Sequence, residues 1–314
     1  ETLDGENLTD ARADAANLLG ATMRDATLTG GRLHRADLRG ANLSGADLTL
    51  TDLRGANLHG ANLRGVSLTA AIHDKETVFP AKRDPAAYGM AFIEPGASLV
   101  EADLRGVALR GADLSRADLT AADLRDADLR AVVLTRATLD ECQMVGALVD
   151  DATAMPEDFD APSAGVRHIG PGVRLSEVAL RWRDLEEADM QAADLTAADL
   201  TGANLNGALL AEANMARADL QMANLRVAQL NGATMGGAAL RGAVFHGASL
   251  RSVVMRDADL AWADLTEADL CGADLTGARM ADTRLRRARY DGDTQLPDGC
   301  DPAAAGMLLP RARR

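Results

Sequence analysis

Ala41-Asn42-Leu43-Ser44-Gly45 runs directly into Ala46-Asp47-Leu48, and this five-residue phrase decides the fold. Outward from it, a Leu, a Met or a rare substitute returns at every fifth residue, from Leu3 to Leu68 and on to His73. The same beat covers Leu99 to Val149 and Leu175 to Tyr290. Of 50 such pentads, 38 have Leu and 7 have Met at the centre, and 37 have Ala two places earlier, so the pattern is architectural.

A step of five rotates an α-helix by a net angle of about 140°, which scatters the leucines around the axis instead of forming a stripe. Plain β alternation fails as well, because an odd period puts successive leucines on opposite faces. A short extended piece followed by a corner does fit. Ala and Leu, two apart, point inward, while Asn or Asp and the next two residues face out or turn. Asn and Asp bond nearby backbone in turns, and Gly accepts positive φ without steric cost. One pentad buries its Ala and Leu only when another coil stacks on it, so the sequence predicts a solenoid.

The phrase A(D/N)LxG resembles that of the pentapeptide-repeat family over about 250 of the 314 residues. The resemblance implies an all-β fold, a right-handed quadrilateral β-helix (a pentapeptide-repeat solenoid) of about 12 coils with four pentads per coil. Leu43, Leu48, Leu114, Leu119, Leu195, Leu200, Leu265 and Leu270 are then core residues. At ~4.8 Å per stacked strand, an uninterrupted rod would be about 60 Å long.

Two breaks of equal length, Leu68 to Leu99 and Met144 to Leu175, interrupt the beat and resemble each other. Thr77, Pro80, Asp84 and Gly89 correspond to Thr153, Pro156, Asp160 and Gly165, and the tail repeats them as Thr294, Pro297, Asp301 and Gly306. An Asp precedes each Thr by three: Asp74, Asp150 and Asp291. The expected organisation is repeat run 1 over 1–75, flap 1 over 76–96, run 2 over 97–151 and flap 2 over 152–172. Run 3 then covers 173–292, with a cap or tail over 293–314, all in one continuous solenoid domain. Two roles stand open for the flaps: covering apolar coil ends, or projecting as recognition loops.

No conventional site accompanies this architecture. The five histidines lack metal-ligand spacing, and no nucleophile elbow, phosphate loop or dinucleotide fingerprint is present, so no enzyme, metal or cofactor is expected. Three distant cysteines suggest no disulfide framework and favour a reducing cytoplasm. No apolar run is long enough to cross a bilayer, so no membrane span is expected. Two departures stand out. Arg183 takes an inward slot, which implies an open or covered coil, and Glu1 and Glu6 do the same at a frayed N-terminal coil.

Net charge is −14, which disfavours direct nucleic-acid binding. Asp113, Asp118, Asp123 and Asp128 are expected to form one acidic band around the rod, and Asp259, Asp264, Asp269 and Asp274 another. A basic band containing Arg284 and Arg287 follows, and Arg311, Arg313 and Arg314 end the chain. These bands are the candidate interaction surface. The leading expectation is a non-enzymatic protein–protein interaction scaffold with an unknown partner. The family resemblance implies an alternative, a B-DNA mimic that binds a type II topoisomerase such as gyrase and inhibits it or protects it from drugs. Summed by wall, however, run 3 carries −1, −1, 0 and −2, without an acidic face. Further alternatives are a sensor or spacer domain of a larger protein, and a homodimer joined through a terminal coil.

Overall fold

The computed structural model describes residues 2–81 and 84–309, so the Arg311, Arg313 and Arg314 tail and Glu1 lie outside the described residues. The chain divides into two compact units, Glu1–His168 and Ile169–Arg314. Each consists of coils stacked in parallel. In the first unit, Thr2 pairs with Thr22, Thr22 with Asn42, and Asn42 with Asn62, each step spanning four pentads. Three further parallel columns run through Asn7, Arg12 and Asn17, so four pentads complete one coil. A second set of four columns begins at Ser98, Asp103, Ala108 and Asp113. The second unit carries four columns from Arg174, Ala179, Asp184 and Asp189.

The pentad explains the geometry. The Asx position supplies the bridge residue; Ala before it and Leu after it point inward. Leu43, Leu48, Leu114, Leu119, Leu195, Leu200, Leu265 and Leu270 are all fully buried. The corner closes with a turn in which Ala46 N–H donates to Leu43 O at 3.0 Å, while Gly45 takes φ +74°. That third turn position needs the left-handed region, which Gly enters freely. Ladder bonds join the coils: Leu43 N–H donates forward to Asn62 O, and Asn62 N–H donates back to Ala41 O.

At each break the spacing changes in the same way. Asn57 pairs with Val78, one place beyond the regular four-pentad step. Ile72–His73 (β1) then pairs with Ala91–Phe92 (β2), one place short of it. The pattern recurs as Val133 with Ala154 and as Leu148–Val149 (β3) with Arg167–His168 (β4). It appears a third time as Asp274 with Gln295 and Arg289 with Leu308. Short helical turns, Pro85–Tyr88 and Ala161–Ala164, lie inside the two internal breaks. Phe79, Tyr88 and Met90 pack against the core of residues 21–71, and Met155, Phe159 and Val166 against the core around Leu99–Val149.

Ile72 stands at an Asx position, on a column where the preceding coils carry the polar Arg12, Arg32 and Asp52, yet it is fully buried in the second core together with Ile93. Asp52, on the same column, and Arg54 are buried too. Arg54 makes a bidentate pair with Asp52 (Nε–Oδ1 2.9 Å, Nη2–Oδ2 2.6 Å) and donates to the carbonyls of Ala108 and Arg110 at 3.3 Å. Within the first unit the two sets of coils are therefore joined through one wall.

Candidate interaction surfaces

The flap residues share one bonding scheme. Asp74 Oδ1 accepts Gly55 N–H at 2.9 Å and Glu76 N–H at 3.0 Å. Thr77 Oγ1 accepts the Asp74 N–H at 3.1 Å and lies 3.0 Å from Leu53 O and 2.9 Å from Asp74 Oδ1. Asp150 and Thr153 repeat this against Ala131 N–H and Leu129 O, and Asp291 and Thr294 repeat it against Gly272 N–H and Leu270 O. A backbone donor that the next coil would have satisfied is thus taken by the Asp side chain, and the Thr hydroxyl adds a second bond to a Leu carbonyl that already accepts the corner N–H of its own coil.

Each phrase then folds back. Asp84 O accepts Ala87 N–H, while Asp160 O and Asp301 O accept Ala164 and Ala305 N–H, which starts a helical turn. Pro80 precedes that turn; Pro156 O and Pro297 O accept Phe159 and Cys300 N–H. Gly89, Gly165 and Gly306, at φ +68°, +69° and +72°, then return to the ladder, where their carbonyls accept Ala70, Gly146 and Arg287 N–H.

The acidic bands are distributed as their spacing predicts, one residue per column, but most of their charge is engaged within the chain. Asp113 accepts Ser115 N–H, and Asp118 accepts the Thr120 N–H and hydroxyl. Asp123 pairs with Arg125 at 2.5 Å. The Thr120 hydroxyl holds Asp118, and the Arg125 guanidinium holds Asp123, below the usual carboxylate range. In the later band, Asp259, Asp269 and Asp274 pair with Arg241, Arg251 and Arg256 of the preceding coil, and Asp264 accepts Thr266 N–H. Burial works to raise Asp264, but the Thr266 hydroxyl and N–H and the nearby Arg284 hold it low. Asp128 and Asp274 are buried, which corrects their assignment to an outward surface. Arg284 is exposed, and Arg287 pairs with Glu267 at 2.9 Å.

Spacing alone does not reveal an exposed apolar row in the second unit. Trp182, Met222 and Trp262 are 62%, 59% and 56% exposed. All three occupy the corner position at φ +56° to +61°, two coils apart, with Gly202 and Gly242 between them. Trp182 lies over Gly202, where an added Cβ would collide with its ring. Trp262 stacks on the Arg241 guanidinium at 4.3 Å and donates its Nε1–H to Asp282 at 3.1 Å. Reading this row requires counting by whole coils instead of by single pentads.

The remaining candidate groups are held in the fold. His73 is buried against Phe79 and Phe92, and burial lowers its pKa. Cys142, Cys271 and Cys300 are free thiols; burial raises all three, Cys142 to about 11 and Cys271 to about 12. Arg183 is half-buried, and Glu6 is exposed. Among the described residues no cluster of His, Cys, Asp or Glu is arranged to hold a metal, and no helix is long and apolar enough to cross a membrane.

Parallel coils of four Ala-Asx-Leu pentads define a right-handed quadrilateral β-helix. The family description "Pentapeptide repeats" matches eight copies, over 32–69, 97–136, 112–151, 174–210, 193–228, 208–247, 228–266 and 254–289. The chain belongs to the pentapeptide-repeat family. It is 28% identical to a pentapeptide repeat protein from the thylakoid lumen of Arabidopsis thaliana, covering 29% of this chain and 68% of that one, with a TM-score of 0.25. It is 26% identical to HetL from the cyanobacterium Nostoc, a protein involved in heterocyst differentiation regulation, covering 95% and 92% with a TM-score of 0.20. QnrB1, a plasmid-mediated fluoroquinolone resistance protein, is 14% identical over 99% of this chain and 89% of that one, with a TM-score of 0.29. No curated protein matches the chain.

Proposed function

We propose that the chain is a non-catalytic interaction scaffold and that it engages a protein partner along the Trp182–Met222–Trp262 edge of its second unit. The carrying observation is the exposure of three large apolar side chains in register on a rigid ladder. Exposed aromatic groups in a row mark interaction surfaces more specifically than single exposed apolar residues do. The hydrogen-bonded coils fix their spacing, so little order is lost on binding. The test is affinity capture from the native host with wild-type protein and with the Trp182→Ser/Trp262→Ser double variant. A partner retained by the former and lost by the latter supports the reading. Identical capture profiles would overturn it.

A second reading, DNA mimicry toward a type II topoisomerase, draws on the net charge of −14. The intramolecular pairing of Asp123, Asp259, Asp269 and Asp274 weighs against it, because a mimic needs carboxylates free to face the enzyme. A gyrase supercoiling assay with and without a quinolone decides: neither inhibition nor protection at micromolar protein would exclude it.

A further inference from the structure

An open groove of about 790 Å³ runs between the second set of coils and the flap that closes it. Its coil side carries Ser115, Arg116, Thr135 and Arg136; its flap side carries Glu157 and Asp158. Arg116 and Arg136 occupy the same corner on successive coils, at φ +61° and +60°. Neither forms an ion pair among the described residues, although both share the groove with two carboxylates. Opposite charges therefore face each other across a gap wider than an ion pair.

The backbone adds donors on the coil side. In a stacked coil the corner N–H donates to the coil above, as Arg116 N–H does to Thr135 O at 3.0 Å. Arg136 lies at the end of its column, where the chain leaves for the flap, and its N–H forms no hydrogen bond among the described residues. The Thr135 N–H forms none either. At the corresponding ends of the other runs, Asn57 Oδ1 takes the His59 N–H and Asp274 Oδ1 takes the Thr276 N–H, both at 3.0 Å. Val133 stands where those Asx residues stand and offers no acceptor. Gly60 and Gly277 occupy the positions corresponding to Arg136. Among the described residues, only the middle run combines an open pair of N–H groups with two arginines at the same corner of successive coils.

Consecutive N–H groups at a turn whose second residue has positive φ form a nest that binds anions. Guanidinium groups add bidentate, charge-assisted donors suited to a tetrahedral oxyanion. Glu157 and Asp158 on the opposite lip match an ammonium group. We propose that this groove binds a small phosphorylated amine, with its phosphoryl group on the Thr135–Arg136 nest and Arg116, and its ammonium toward Glu157 and Asp158.

Isothermal titration of the full chain with O-phosphoethanolamine, inorganic phosphate and ethanolamine tests this. The expected result is saturable binding of phosphoethanolamine, with phosphate ~10-fold weaker, a difference of about 1.4 kcal/mol, and no binding of ethanolamine. Val133→Asp restores the commonest residue of this position and places a carboxylate on the Thr135 N–H, so it should abolish binding while the chain stays folded. Arg136→Gly, which copies Gly60 and Gly277, should weaken binding at least ~10-fold. The proposal is overturned if no probe saturates, or if phosphate binds as tightly as phosphoethanolamine. Titrations unchanged by Val133→Asp and Arg136→Gly would also overturn it.

Discussion

Asp74 Oδ1 accepts the Gly55 backbone N–H at 2.9 Å, replacing the carbonyl that a further coil would have supplied. Asp150 does the same for Ala131 at 2.8 Å, and Asp291 for Gly272 at 2.9 Å. An unmade bond to a partly buried donor carries a desolvation cost, so the carboxylate closes the ladder where regular stacking stops.

Asp74→Ala should destabilise the first unit by about 1–3 kcal/mol, since it strands the Gly55 donor and releases Thr77. Asp74→Asn keeps an acceptor and should lose less. Urea unfolding followed by circular dichroism measures both. Equal, negligible shifts in midpoint would show that solvent serves Gly55 as well as the carboxylate does.

Acid should unfold the protein through two of the carboxylates that close the ladder, Asp74 and Asp291. Backbone donation by Gly272, with Thr294 and Asp293, holds Asp291 below its ordinary 3.8. Burial works against Asp74, but the Gly55 N–H and the Thr77 hydroxyl outweigh it and hold that group low as well. A depressed folded pKa gives stability that is complete above the unfolded value and lost as pH falls through the folded one. The denaturation midpoint should therefore be flat from pH 7 down to about 4 and fall steeply below that. Asp74→Asn should shallow the fall; an unchanged slope would point to other groups.

The buried pair of Asp52 and Arg54 should be far more sensitive than its exposed counterpart. Removing one partner of a buried ion pair costs about 3–5 kcal/mol, and Asp52→Ala would leave Arg54 buried against the Ala108 and Arg110 carbonyls without its counter-charge. Asp37→Ala, which breaks an exposed pair with Arg39, should leave the midpoint unchanged. Similar losses in both variants would refute the distinction.

Gly202→Ala should displace Trp182. The added Cβ would collide with the ring, at a backbone φ of +65°. A cost of about 1 kcal/mol is expected from the backbone, together with a change in tryptophan fluorescence as the ring lifts into solvent. Trp182→Ser in the same background should remove the fluorescence change and leave the backbone cost.

The coil was legible because its cause is local. The Ala-Asx-Leu beat fixes which side chains point inward, and the spacing from Thr2 to Thr22 follows from closing four corners. The flap phrase was legible as recurring residues, although its hydrogen bonds were not. The two aspartate–arginine pairs show where local reading ends. Asp37-Leu38-Arg39 and Asp52-Leu53-Arg54 are the same tripeptide with the same bidentate geometry. Yet the arginine side chains are 50% and 10% exposed, because a later stretch of chain packs over one of them. Nothing inside the pentad encodes that covering. The clue lies a coil away, in Ile72 at a position where polar residues are the rule. Asp128 escaped in the same way: its pentad reads as outward, and it is buried.

The ladder also has a direction in time. Leu43 N–H waits for the carbonyl of Asn62, and Asn62 N–H finds the carbonyl of Ala41 already in place. Each coil is thus completed by the next four pentads to be made, and among the described residues every β-bridge joins one coil to the next. At the usual ~5–20 residues per second, a ribosome delivers one coil every ~1–4 s, far longer than the microseconds a short loop needs to close. The protein can therefore be laid down like courses of brick during synthesis, with Asp74 and Asp150 sealing one course of work before the next begins.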